Sequence, residues 1–346
     1  MKKRINFVDV LFSNEGHYVC DIKKYSYLER KYELHYFING ELNDKNRLRL
    51  RSFTVHESPK KSSLLGQFRY LMSIRKLLSL DDFNFIMSTK YISLLVFSLL
   101  SNFYSYFLLV HFFPTTKILS NKAILWFLLN KSNGFMVLDR SVKENIERFI
   151  GKSKGIEVIR SRDLEIPNHH DSCNSNLVVS FIGAINSYKD ISQLLELLNE
   201  KHYPGLEFHL YSKGITEYVC GMSDLNNVVI KDEYFSPVDY SNYLKESDYI
   251  FLSYKPSYGV RFSGMVFDAL NYGCPIICND NPSFKFLSKY NACRMFSNKA
   301  DLDEILLTLE KAMVDEKIYV DFSKEEREIV FFNLLNRHFK INQEVF

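Results

Sequence analysis

Short apolar segments alternate with longer amphipathic ones along this chain, and the alternation stops once and then restarts. In the first series, residues 5–12, 34–38, 83–87, 106–112, 135–138 and 156–159 read as strands, several of them apolar without alternation. Strands of that kind are buried on both faces. Between them, residues 17–29, 64–80 and 142–150 read as helices, the last with Ser141 and Glu144 as a capping box. Residues 167–176 (PNHHDSCNSN) are polar and have no period, which is the mark of a linker. The second series has strands at 177–182, 206–211, 228–230, 249–253 and 275–278. Its helices fall at 190–198 (begun by Ser187 or Lys189), after Ser236-Pro237, at 265–272 and at 300–313, with a long last helix to about 339.

Strands that alternate with helices form parallel sheets through right-handed crossovers. The fold expected is α/β, with two Rossmann-like doubly wound domains facing a cleft. The domains are 1–166 and 177–346, joined by the linker at 167–176, and the last helix crosses back onto the first domain. In such sheets ligands bind beyond the carboxyl ends of the strands.

The net charge of +3 gives no reason to expect nucleic acid. Residues 1–90 hold 17 Lys and Arg against 10 Asp and Glu. That excess either solvates loops or suits an anionic surface, such as the inner leaflet or a phospholipid-linked acceptor. The six Cys are scattered, so Cys274 and Cys278 read as reduced, buried thiols. His169-His170 and Asp81-Asp82 read as loop residues, and no metal site is expected. The apolar run after Lys2–Arg4 is broken by Asn6 and Asp9 and does not read as a signal peptide. Residues 92–113 are long enough for a membrane span, yet a break near Ser101-Asn102 divides them into a buried helix and a buried strand.

The loop after the first strand holds one glycine, Gly16, and no GxGxxG or GxxxxGK[ST] occurs. That disfavours dehydrogenases and P-loop enzymes. Residues 249–280 (YIFLSYKPSYGVRFSGMVFDALNYGCPIICND) carry a strand, a Pro- and Ser-containing loop, and a glycine. An acid followed by Ala comes next, and then a Gly-x-Pro strand. A helix that starts near Gly264 offers N–H groups and a positive dipole end to a diphosphate. Gly264 lets a ligand approach the backbone closely, and Asp268 stands one turn further in, where its alternative role is that of a solvated helix acid.

The order and spacing of Ser263, Gly264, Asp268, Gly273 and Pro275 resemble the donor-binding half of GT-B glycosyltransferases, notably the family-4-like (glycosyl transferases group 1) enzymes. Residues 178–189 (VVSFIGAINSYK) match a second stretch of that family through Gly183 and Lys189. The resemblance implies a nucleotide-sugar donor, with its ribose on Asp268 and its diphosphate held by Lys189, Gly183, Ser263 and Gly264. Two positions depart from the pattern. Val260 stands where the family has an earlier Glu, and Ala184 stands where a basic residue often follows the glycine. Arg261 is a candidate to supply the missing cation. By position, Gly16 is placed near the phosphates, while His17 and His111 are candidates to touch the donor sugar or to act as base. Asp9 and Glu15 are rival bases. The bland alternatives are a helix-start lysine for Lys189 and core residues for the two histidines.

The resemblance implies a metal-independent, retaining hexosyltransferase without a cofactor. Its acceptor would be a glycan or a lipid-linked glycan in bacterial surface polysaccharide synthesis (O-antigen, capsule or exopolysaccharide). The expected location is the cytoplasm, with peripheral contact at the inner face of the membrane. A non-catalytic GT-B-like partner subunit and a nucleotide-sugar epimerase are the alternatives on the same scaffold.

Overall fold

In the computed structural model, the described residues are 2–11, 22–88, 90–110, 112–113, 119–138, 140–150, 155–159, 163–167, 176–185, 188–222, 227–256, 260–261 and 263–341. Contacts divide the chain into two units. The first is residues 1–111, 117–161 and 327–346, and the second is residues 112–116 and 162–326.

The first unit runs β1 (Lys3–Asp9), β2 (Tyr32–Ile38), α1 (Asp44–Arg49), β3 (Thr54–Glu57), α2 (Leu64–Ile74), β4 (Phe83–Ser88), α3 (Tyr91–Ser101) and β5 (Phe107–Val110). After β6 (Phe112–Phe113), which belongs to the second unit, it continues with α4 (Leu119–Lys131), β7 (Gly134–Val137), α5 (Arg140–Ile150) and β8 (Ile156–Val158). Its parallel sheet has the order β3-β2-β1-β4-β5-β7-β8. The order reverses between β1 and β4, so the carboxyl ends of those two strands form the switch point. Ile5, Phe7 and Val8 of β1 are fully buried, as a strand covered on both faces requires. Asn6, also buried, is held by hydrogen bonds from Nδ2 to Asn84 Oδ1 (2.8 Å) and Asp82 Oδ2 (3.0 Å).

The second unit runs β9 (Leu177–Ile182), α6 (Ser192–Glu200), β10 (Leu206–Tyr211), α7 (Thr216–Val219), β11 (Val228–Lys231), α8 (Pro237–Glu246) and β12 (Tyr249–Leu252). Then follow β13 (Val260–Arg261), α9 (Gly264–Asn271), β14 (Ile276–Asn279), β15 (Cys293–Phe296), α10 (Lys299–Leu307) and α11 (Lys317–Asp321). Its parallel sheet has the order β11-β10-β9-β12-β14-β15, with the reversal between β9 and β12. β13 pairs with β6 in a separate antiparallel ribbon.

The final helix, α12 (Lys324–Ile341), joins the first unit from Arg327 onward. Phe331 is fully buried there, with its ring 4.7 Å from that of Tyr25 and 5.8 Å from that of Phe83. Tyr32 stacks on Phe339 at 5.6 Å.

Two doubly wound α/β sheets are therefore present. The turn at Asn102 is also as expected. With φ of 50° it ends α3, which separates the helix from β5. Among the described residues no helix is long and apolar enough to cross a membrane. Ser236 and Asp239 form the capping box of α8, with Pro237 in its first turn. Cys274 and Cys278 are buried free thiols, and burial pushes Cys274 up to about 12.

Four local expectations need correction. Helix α5 starts at Arg140, so Ser141 lies in its first turn and is not its cap; an Arg140–Glu144 ion pair at 3.0 Å spans that turn. Lys189 does not begin a helix, because α6 starts at Ser192, and the Asp190 carboxylate accepts from the Ser192 N–H (3.2 Å). The helix expected over 300–313 stops at Leu307. Of the helix expected over 17–29, residues 17–21 lie outside the described residues; residues 22–23 are helical, and a separate 3-10 turn follows over Ser26–Arg30, so the helix does not run on to 29.

Candidate functional site

Gly183 directly follows β9 at the switch point of the second unit. Its φ of +100° is one that residues with a side chain rarely adopt. A Cβ at this position would lie 3.2 Å from Lys189 Nζ and 3.6 Å from Met265 Cε. One point in the fold thus collects the end of β9, the Lys189 ammonium and the first turn of α9. Two bonds fix the loop that carries the glycine. The Gly183 N–H donates to the Tyr211 carbonyl (3.0 Å), and the Ile185 N–H donates to Ser212 Oγ (3.1 Å).

Lys189 is held by a short antiparallel pairing beyond the carboxyl end of β12. It bridges to Tyr254. The Asp190 N–H donates to the Ser253 carbonyl (2.9 Å), and the Lys255 N–H donates to the Tyr188 carbonyl (2.7 Å). Asn279, at the end of β14, clamps Tyr254 from the other side. It accepts from the Tyr254 N–H (3.0 Å) and donates to the Tyr254 carbonyl (2.8 Å). Lys189 Nζ donates to the Ile182 carbonyl (3.2 Å) and lies 5.0 Å from the centre of the Phe181 ring. Burial lowers the pKa of this ammonium to about 8.

The amino end of α9 completes the group. Ser263 is its N-cap residue in extended conformation, and its hydroxyl lies 3.1 Å from the Tyr254 hydroxyl. Gly264 opens the helix. One turn on, Asp268 accepts a hydrogen bond from the Tyr240 hydroxyl (3.0 Å), which is also 3.3 Å from Met265 Sδ. An ammonium beside a helix amino end, outside the carboxyl ends of central strands, is the arrangement that binds phosphate groups.

The structure therefore brings Gly183, Lys189, Ser263, Gly264 and Asp268 together. For Arg261 only the backbone is described, in β13. His111, His17, Gly16 and Glu15 lie outside the described residues. Three further members of the group were not singled out from the sequence: Tyr254, Tyr240 and Asn279. Asn279 and Tyr254 flank the recognised motif, but a clamp across 25 residues leaves no local pattern. A separate hollow of about 190 Å³, lined by Ser247, Asp248, Gly273, Lys311 and Tyr319, opens at the amino ends of β12 and β14. It is remote from the ends where ligands bind such sheets.

At the switch point of the first unit, Asp9 ends β1 fully buried. The Ser88 hydroxyl donates to one carboxyl oxygen and the Tyr36 hydroxyl to the other (3.1 Å). Burial outweighs both bonds and raises the pKa from 3.8 to about 6. The folded state then holds this proton more tightly than the unfolded chain. The stability contribution is complete below about pH 4 and is lost as pH rises through about 6, a loss on the order of 3 kcal/mol. We expect Asp9→Asn to flatten the fall in Tm between those pH values and to raise Tm at neutral pH. A Tm profile parallel to that of the wild type would show that Asp9 does not titrate in this window.

The sequence matches no protein-family model and no curated protein. Solved structures do match the fold over almost its full length. HepE from Anabaena, in complex with UDP, superposes with a TM-score of 0.72 at 13% identity, covering 97% of this chain and 100% of HepE. The lipopolysaccharide outer core galactosyltransferase WaaB gives 0.67 at 15% identity, with 96% and 99% covered. A glycosyltransferase from Rickettsia africae gives 0.64 at 14% identity, with 99% and 97% covered. The chain has the GT-B fold.

Proposed function

We propose that the chain is a glycosyltransferase that uses a nucleoside-diphosphate sugar as donor. The observation that carries this reading is the convergence of Lys189, Gly183 and the amino end of α9 at the switch point of the second unit. In the transfer, the bond from the anomeric carbon to the diphosphate oxygen breaks. A bond to an acceptor hydroxyl oxygen forms, and the hydroxyl proton leaves. Negative charge grows on the departing diphosphate, where Lys189 and the helix end stabilise it. The chain uses these groups, with Arg261 as a further cation, in place of a metal ion. Asp268, oriented by Tyr240, accepts hydrogen bonds from the ribose hydroxyls.

The fold neighbours support a UDP-sugar as donor, since HepE was also solved with UDP-glucose. They support a surface-polysaccharide acceptor, since WaaB acts on the lipopolysaccharide outer core. Transfer with retention of configuration, with His17 and His111 at the sugar, completes the proposal.

Thermal denaturation with UDP-, GDP-, dTDP-, CMP- and ADP-sugars tests the donor site. A ligand at 100 times its Kd stabilises the folded state by about 2.7 kcal/mol. One nucleotide class is expected to raise the Tm of the wild type, and Asp268→Ala to remove most of that rise, with or without a chelator. If no nucleotide shifts the wild type, the donor site is misassigned. Binding without turnover on any glycan acceptor would favour a non-catalytic subunit.

A further inference from the structure

The Lys189 ammonium and the amino end of α9 come from distant parts of the second unit. Lys189 follows β9 and α9 follows β13, with β10, β11 and β12 between them. No short stretch of chain fixes their spacing, and one residue touches both. Tyr254 bridges Lys189 through its backbone, and its hydroxyl lies 3.1 Å from the Ser263 hydroxyl at the start of α9. A serine in that place usually caps its helix. Ser263 makes no capping bond to α9, and its hydroxyl is joined to Tyr254 instead.

Tyr254 stands beyond the carboxyl end of β12, past the last residue that pairs with β14, Leu252. Its N–H and its carbonyl are nonetheless both bonded, at 3.0 and 2.8 Å, by the amide of Asn279. A primary amide carries a donor and an acceptor together, so this one side chain stands in for a neighbouring strand. Asn279 is itself held in the sheet. Its carbonyl accepts from the Asn281 N–H (2.7 Å), and the next N–H, of Asp280, donates to the Phe296 carbonyl (2.7 Å). The Tyr254 ring lies 5.5 Å from that of Phe284, which is fully buried. Backbone, ring and hydroxyl of Tyr254 are thus each fixed by a different partner.

We propose that Asn279 and Tyr254 are positioning residues of the donor site: the Asn279 amide fixes Tyr254, and Tyr254 holds the Lys189 ammonium and the amino end of α9 at the spacing a diphosphate requires. This role rests on the proposed donor reading. A buried ammonium gains free energy by returning to water, so a lysine on a loose segment swings out, and a shift of about 1 Å in a positioned group can cost 10²-fold. The titratable side chains on the surrounding elements are Asp190 and Lys255 on the pairing, Tyr254 itself, Asp268 on α9 and Asp280 after β14. Replacing the neutral Asn279 amide by alanine leaves all of these charges in place, so a changed pH response of Lys189 reports its position.

Calorimetric titration of UDP into the full chain between pH 7 and 10 tests the role. Asn279→Ala should lower UDP affinity by about tenfold or more at pH 7. Its affinity should also start to fall only well above the wild-type midpoint of about 8, because a lysine returned to water moves back toward its usual 10.5. A purely structural role would lower Tm and leave that midpoint in place. Tyr254→Phe keeps the backbone clamp and the ring contact and loses only the hydroxyl. It should bind UDP about three- to tenfold more weakly, with the midpoint still near 8, and it carries the test if Asn279→Ala does not fold. The role is overturned if the midpoint of Asn279→Ala stays at about 8, or if Tyr254→Phe binds UDP like the wild type. A wild type that binds no nucleoside diphosphate overturns the donor site itself, whereas tight binding that both variants retain strikes only this role.

Discussion

Lys189→Met should remove the Tm rise expected from the proposed donor nucleotide and lower turnover by about 10²- to 10³-fold, the usual cost of deleting one preorganised group that stabilises developing charge. Methionine keeps an apolar stem against the Phe181 ring, so the change isolates the ammonium. The pH dependence follows from the lowered pKa of about 8. Above that value the free protein loses the Lys189 proton, which diphosphate binding must restore. Affinity for UDP should fall by up to about tenfold per pH unit above 8, and the fall should be absent in the variant. In the ligand-free protein the same depression means that the unfolded chain holds more protons between about 8 and 10.5, so this group makes stability rise with pH across that window. Calorimetric titration of UDP from pH 7 to 9 measures the first effect. Affinities of wild type and variant that stay equal throughout would remove Lys189 from the site.

Phe331→Ala should destabilise the first unit by about 3–5 kcal/mol, the range for a large ring deleted from a full core. Phe331 is fully buried against Tyr25, Phe83 and Phe85, and with His338 and Phe339 it carries α12 onto the sheet. Trp126 lies in the same unit and reports its unfolding. Urea titration followed by its emission should show a clearly lower midpoint for the variant. Coincident midpoints would mean that α12 contributes little to that core.

The strands that carry both switch points were legible because a strand buried on both faces is mostly apolar and does not alternate, as β1, β4, β9 and β12 show even with Asn6, Asn84 and Ser180 among them. Of the edge strands, β8 and β11 were legible too, but β3 and β15 were not. β3 reads TVHE and β15 reads CRMF; both are partly exposed and lack the apolar run that marks a central strand. Gly183, Lys189, Gly264 and Asp268 were found through their spacing in family-like stretches. What holds them was invisible, because the Lys189–Tyr254 pairing and the Asn279 clamp join residues far apart in sequence. The lysine's place beside a strand end, against the expectation of a helix start, has the same origin. Residues 92–113 announced an apolar helix followed by a strand, but not which side of the helix faces out. The inward face holds Leu94 and Phe97 with Ser93 and Ser98, whose hydroxyls bond the Leu64 carbonyl and the Tyr106 hydroxyl, partners far away in sequence or outside the helix.

The return of α12 to the first unit sets a timetable for synthesis. When residue 161 leaves the ribosome, every residue that will surround Phe331 in the first unit's sheet has been made, and 165 residues of the second unit (162–326) must be translated before Phe331 arrives. At roughly 5–20 residues per second that interval lasts on the order of ten to thirty seconds. The second unit has all its strands in hand before the first can close, so the part of the chain made first matures last. Throughout that interval Tyr25, Phe83 and Phe85 wait uncovered on the nascent chain, within reach of chaperones and of neighbouring nascent chains.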